Sequence, residues 1–224
     1  MTSRIHIVGI GDDGFQGLTG HARQLIDQAE VLLGTTPLLK KIPASNAERV
    51  EIGSGLESLK ETIVKLPNRP TVMLAGGDPL FYGIARYLTD SFGKERFEVV
   101  PHVSSMQLAF ARVKESWDDA YLTNLATQSL DRVVDNIRTA ERVGLFTTEL
   151  ISPSVVAEAL LDRRIDYFTV YVCENLGTPD EVVTQSTLQS IRNQSFSAMN
   201  VMVLVRRHGQ DVPADLVQQE RITR

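Results

Sequence analysis

Thr71-Val72-Met73-Leu74-Ala75-Gly76-Gly77-Asp78-Pro79-Leu80-Phe81-Tyr82-Gly83 decides how this chain folds. Residues 71–75 form a β-prone run, and two glycines stand at its C-terminal end. Glycine has no Cβ, so backbone amides and carbonyls can approach a ligand closely there. Pro79 suits the first position of a helix and Asp78 the cap before it, so a helix is expected over residues 79–92. Capping and ligand positioning are compatible roles for Asp78. Strand, glycine turn and helix in this order mark one unit of an open parallel sheet, whose ligands bind at the C-terminal strand edge. A valine at Gly77 is therefore expected to block the ligand while leaving the protein folded.

The same alternation extends on both sides. Strands are expected over residues 5–10, 31–33, 50–52 and 97–100, with helices over 18–29, 56–66 and 104–112. In the first of these helices Leu18, Ala22, Leu25, Ile26 and Ala29 share a face. The pattern predicts a parallel or mostly parallel sheet covered on both sides. Gly9-Ile10-Gly11-Asp12-Asp13-Gly14 satisfies the dinucleotide fingerprint as a string. A nicotinamide site needs a helix opening within it and an acid after the second strand. The helical pattern starts near Leu18, and Gly34 follows the second strand, so a glycine loop is the better reading.

Polar residues around Trp117 break the pattern, which then restarts. Three segments follow: an α/β domain over residues 1–116, a second α/β domain over 117–207, and a tail over 208–224. In the second, helices are expected over 130–140 and 152–161, the latter capped by Ser152 with Pro153 at its first position. Strands are expected over 143–147, 167–173 and 199–205, with another at 182–186.

Composition narrows the function. The chain has 224 residues, 42% hydrophobic and 23% charged, with a net charge of -5. That balance suits a globular fold and lacks the basic footprint of a nucleic-acid binder. Cys173 is the single cysteine, which rules out an intrachain disulfide and fits a reducing, cytoplasmic setting. No apolar run approaches the ~20 residues of a membrane span, and no signal-peptide pattern opens the chain. His6, His21, His102 and His208 are scattered without ligand spacing, so no metal is expected.

Four motifs occur in order: V-G-I-G at 8–11, G-G-D-P-L-F-Y-G at 76–83, P-H-V-S-S-M-Q-L-A-F-A at 101–111 and C-E-N-L-G-T-P-D-E at 173–181. Together they resemble the tetrapyrrole methylase superfamily, and within it the precorrin-6Y and cobalt-precorrin-7 C5-methyltransferases. The resemblance covers nearly the whole chain. It implies two α/β domains with S-adenosyl-L-methionine held in the cleft between them and S-adenosyl-L-homocysteine as product. Carried over by position, cofactor contacts fall on Gly9, Gly11, Asp12, Gly76, Gly77, Asp78, Phe81, Ser104 and Ser105, and in the second domain on Thr147, Val172, Ala198, Met199 and Asn200. Glu174 and Asn175 would face the substrate, or else serve as turn residues before Gly177.

Three positions depart from the family pattern: Asp12 replaces a proline, His102 a glycine, and Asn124-Leu125-Ala126-Thr127 an S-L-H-G stretch. His102 is expected either to narrow the tetrapyrrole side of the cleft or to point outward. The tail resembles the linker that leads, in two-domain relatives, to a C-15 methylating and decarboxylating partner, fused or separate. A homodimer is implied by the family alone.

Methyl transfer to an electron-rich ring carbon needs alignment and exclusion of water rather than a nucleophilic triad. No catalytic residue is therefore assigned. Lys40, Lys41 and Arg86 are candidates to meet the substrate's carboxylates. The competing readings are a methyltransferase of this fold acting on ribosomal RNA or a modified protein residue, and a non-catalytic protein binding the cofactor or a corrinoid.

Overall fold

Ile5–Ile10 (β1) is followed by a short helix, Gly14–Gly17 (α1), and then by Gly20–Asp27 (α2) in the computed structural model. The structure describes residues 4–53, 55–66, 68–208 and 218–221. Thr19 caps α2, its side chain accepting the Ala22 N–H at 3.2 Å, so the helix starts later than the apolar pattern suggests. α1 opens at the last glycine of the G-x-G-x-x-G string. One of the two grounds for setting aside a dinucleotide site therefore fails. The other stands, because Val31–Gly34 (β2) ends on a glycine.

Thr36–Lys40 (α3), Glu48–Glu51 (β3), Leu56–Lys65 (α4), Thr71–Gly76 (β4), Ile84–Phe92 (α5) and Phe97–Val100 (β5) complete the first sheet and its helices. Strand order is β3-β2-β4-β1-β5, and all four pairings are parallel. Helices cover both faces, so β4 is buried from Thr71 to Ala75. Ile7, Val31, Leu33, Met73 and Leu88 fill one side of the sheet; Val8, Ile10, Ile26, Leu32 and Leu74 fill the other.

α5 begins five residues later than Pro79, with Gly83 as its N-cap. Tyr82 takes a left-handed φ of 55°, which a helix cannot contain. Asp78 caps the local turn instead, its Oδ1 accepting the Leu80 N–H at 2.9 Å.

The second unit starts with Ser105–Val113 (α6), followed by Tyr121–Asn124 (β6), Leu130–Ile137 (α7), Arg142–Phe146 (β7), Pro153–Asp162 (α8), Phe168–Glu174 (β8), Val182–Thr187 (β9), Leu188–Ile191 (α9), Asn200–Arg206 (β10) and Gln218–Arg221 (β11). The chain divides between Ser104 and Ser105, ahead of the boundary expected at residue 116. The physical reason is that α6 packs on β7 and β10. Glu115 and Asp119, in the polar stretch read as the domain boundary, bind Arg142 on β7 at 2.9 and 3.0 Å.

Strand order here is β11-β9-β8-β10-β7-β6, and only β6 and β7 run parallel. The expected parallel alternation gives way because only a short loop joins β8 to β9, and parallel neighbours need a crossover of a dozen or more residues. α8 starts as expected, with the Ser152 hydroxyl accepting the Val155 N–H. Of the tail, residues 209–217 and 222–224 lie outside the described residues. Gln218–Arg221 pairs with β9 and so extends the sheet, where a linker was expected.

Candidate functional site

β4, β1 and β5 are parallel neighbours, so their C-terminal ends open on one edge of the first unit. The Gly77 N–H donates to the Ile10 carbonyl at 3.1 Å, and the His102 N–H to the Gly77 carbonyl at 3.3 Å. A Cβ at Gly9 would stand 2.0 Å from the Gly77 oxygen. One at Gly11 would meet Asp13 Oδ1 at 2.7 Å and His102 Nε2 at 2.8 Å. Gly9 is thus required by loop-on-loop packing whether or not a ligand is bound, whereas a side chain at Gly11 would displace only the Asp13 and His102 side-chain ends.

Gly76 differs from both. It is exposed at the end of β4, and a Cβ there would meet nothing within 4 Å. It presents bare backbone on the strand edge where ligands of parallel sheets bind. Beside it lies a cavity of about 260 Å³, lined among others by Thr35, Leu38, Leu56, Leu59 and Ile84. The turn after it is closed by Asp78, whose carbonyl accepts the Phe81 N–H at 3.1 Å. Leu80, Tyr82 and Val103 are exposed on these loops, and Ser104 is buried beneath them.

The candidate cations separate clearly. Lys41 reaches the β1 loop, with Nζ 3.0 Å from the Gly11 carbonyl and 2.5 Å from Asp12 Oδ1. Lys40 is exposed, and Arg86 pairs with Asp90 one turn along α5. His102 does not point outward, its side chain being 12% exposed. Its imidazole lies against Gly11, with Nε2 3.3 Å from Asp13 Oδ1.

In the second unit, the ends of β7 and β8 meet the start of β10. Glu174 accepts the Ser197 N–H at 2.6 Å, and the Ser197 hydroxyl donates to Asn175 Oδ1 at 3.0 Å. The Asn175 N–H donates to the Met199 carbonyl at 2.8 Å. Asn200 Nδ2 donates to the Ser197 carbonyl at 2.7 Å, and the Thr147 hydroxyl to Asn200 Oδ1 at 2.9 Å. Glu174, Asn175, Thr147 and Asn200 are therefore one network, with Ala198 and Met199 exposed on it. Ser105 is also exposed, as the first residue of α6. Val172 is the exception: it is fully buried in the core, its side chain turned inward by strand alternation and its backbone paired on both sides by β9 and β10.

Sequence reasoning missed Ser197, Arg112 and Glu181. Glu181, the last letter of C-E-N-L-G-T-P-D-E, is 4% exposed and accepts the Gly177 N–H at 2.7 Å. Arg112 on α6 binds both of its carboxylate oxygens. The hydrogen bond to Glu181 raises the guanidinium's affinity for its proton further. The pair pins the loop that carries Asn175, itself left-handed with φ 51°. Nothing in the spacing of Arg112 and Glu181 signals the contact.

From residue 4 to residue 192 the chain matches the family profile of tetrapyrrole (corrin/porphyrin) methylases. It is 27% identical over 201 residues to the cobalt-precorrin-7 C(5)-methyltransferase of Salmonella typhimurium, spanning 90% of this chain and 98% of that one. It is 31% identical over 181 residues to the precorrin-6Y C(5,15)-methyltransferase (decarboxylating) of Sinorhizobium sp, spanning 80% of this chain and 43% of that one. Among solved structures, uroporphyrin-III C-methyltransferase from Thermus thermophilus, complexed with S-adenosylhomocysteine, shares the fold with a TM-score of 0.68, at 21% identity over 91% of this chain and 92% of that one. The two glycine-turn units on a parallel sheet, the mixed second sheet and the match along the chain together show that this protein belongs to the tetrapyrrole methylase family.

Proposed function

We propose that this chain is an S-adenosylmethionine-dependent methyltransferase that methylates C-5 of a precorrin, of the cobalt-precorrin-7 or precorrin-6Y type, in cobalamin biosynthesis. The observation that carries this reading is the likeness to a cobalt-precorrin-7 C(5)-methyltransferase along 98% of that enzyme's length. The open backbone at Gly76, between tightly packed loops, supports a cofactor at that edge. When bound, the cofactor supplies an electrophilic methyl group on a sulfonium. The chain's own part is to hold and align. Gly76, Gly77 and the Asp78 turn offer a rigid backbone mould, and exposed Leu80 and Tyr82 exclude water. Within the second unit, the Glu174–Asn175–Asn200 network holds polar groups in fixed positions.

The same reading takes the enzyme as a cytoplasmic homodimer. The C-15 chemistry in the name of the Sinorhizobium relative would belong to a fused or separate partner, since the chain spans 43% of that protein. No helix among the described residues is long and apolar enough to cross a membrane.

The test is to incubate the protein with methyl-labelled S-adenosylmethionine and each of the two precorrin types, with and without cobalt. Transfer of one labelled methyl to C-5, with an equal yield of S-adenosylhomocysteine, is expected. Cofactor binding without transfer to any of these substrates would overturn the enzymatic reading in favour of a binding protein.

A further inference from the structure

We propose that Lys41 and His102 are positioning residues that clamp the loop after β1 by gripping two adjacent aspartates, Asp12 and Asp13. The proposal rests on the reading that this edge of the first unit holds the cofactor. Two neighbouring carboxylates in a tight turn repel each other, and an unrestrained loop carrying them would sample many shapes. Here each has its own partner, and the partners come from different elements on opposite sides.

Lys41 follows α3 and crosses the turn. Its Cβ lies 3.8 Å from where a Gly14 side chain would begin, and Gly14 itself is left-handed with φ 63°. Its ammonium, on a side chain 25% exposed, bonds the Gly11 carbonyl at 3.0 Å and Asp12 Oδ1 at 2.5 Å. It therefore holds backbone and side chain of the turn at once.

His102 closes the other side. Its side chain is 12% exposed, with Nε2 3.3 Å from Asp13 Oδ1. Its backbone N–H is held by the Gly77 carbonyl, so it couples the turn to the glycine pair of β4. Asp13 stands at the N-cap of α1 yet makes no side-chain cap bond. Its carboxylate lies towards the imidazole instead. Gly11 leaves the space in which imidazole and carboxylate meet.

Partly exposed ion pairs contribute little to global stability. Their larger effect is to reduce the number of loop shapes, which sets ligand affinity when the loop is part of the binding edge. The clamp thus predicts separate effects on melting and on binding.

The test uses the full chain with S-adenosylhomocysteine as probe. Lys41→Met should weaken binding roughly tenfold, the size expected for losing one charge-assisted anchor, and His102→Ala should weaken it in the same direction by less. Amide hydrogen exchange over residues 11–14 should rise in both. Lys41→Arg and His102→Gln should restore affinity and protection. In turnover, the losses should appear in KM for the cofactor with kcat largely kept. Melting temperature should barely move. Variants that bind normally with unchanged exchange would overturn the clamp alone, as would affinity losses that merely follow lowered melting temperatures. Wild-type protein that fails to bind the probe would overturn the cofactor reading, and the proposal with it.

Discussion

Gly77 and Ser104 pack backbone against backbone: a Cβ at position 77 would stand 3.1 Å from the Ser104 Cα. Gly77 also has φ 57°, a conformation that costs a residue with a side chain about 1–2 kcal/mol. Gly76 has neither restriction. Gly76→Val should therefore melt like the wild type and lose S-adenosylhomocysteine binding, because valine suits a strand end and its methyls fill the open edge. Gly77→Val should lose binding and melt at a lower temperature, contrary to the expectation from sequence that it leaves the fold untouched. Calorimetry and thermal melts on both variants check this. Normal binding by Gly76→Val would place the ligand elsewhere.

Arg112→Met leaves the Glu181 carboxylate buried without its countercharge. The expected cost is about 3 kcal/mol, the scale for breaking a buried ion pair. Glu181→Gln keeps an acceptor for the Gly177 N–H and should cost less. Urea unfolding of the two variants measures the difference. Equal, small losses would mean that the pair does not hold the loop.

Cys173 follows a different logic. Burial pushes its thiol up to about 12 from an ordinary 9.0, with Glu181 adding to the rise and Arg112 opposing it. Below pH 9 the thiol is protonated in both folded and unfolded chains and contributes no pH dependence. Above pH 9 the unfolded chain releases the proton and the folded one keeps it, so stability falls by up to about 1.4 kcal/mol per pH unit. Cys173→Ala should show a shallower loss between pH 9 and 10 in denaturant titrations, and native Cys173 should resist iodoacetamide at pH 8. Rapid alkylation of native protein would contradict its burial.

Gly144 explains why α6 sits with the second unit. A Cβ there would meet Met106 Sδ at 2.4 Å, Phe110 Cε2 at 2.8 Å and Leu122 Cδ2 at 2.9 Å. Gly144→Val should destabilise by about 1–3 kcal/mol through overpacking. Gly144→Ala should cost less, since a methionine thioether can shift. Chemical denaturation of both variants decides, and a neutral valine would show that α6 moves away freely.

Local order was legible in the residues themselves. β1 ends at Ile10 just before Gly11, β4 ends on Gly76, and α8 begins at Ser152 and Pro153, because a strand end or a helix cap is decided within a few neighbours. The parallel first sheet was legible too, since its strand–helix alternation admits few other closures. The resemblance assigned Thr147 and Asn200 to the cofactor and Glu174 and Asn175 to the substrate, and the folded chain joins all four in one hydrogen-bond network through Ser197.

What lay beyond the sequence depends on contacts made after the chain has closed on itself. The start of α5 moved because Tyr82 turns left-handed, which puts the N-cap at Gly83. In the second sheet β8 and β9 pair antiparallel because the short loop between them leaves no length for a crossover. Lys41 with Asp12, His102 with Asp13 and Arg112 with Glu181 are pairs brought together by folding, and the sequence of either partner does not name the other. Apolar spacing determines which faces are buried; which charges then meet is decided only once those faces have packed, because an ion pair requires a few ångströms of proximity that no local pattern encodes.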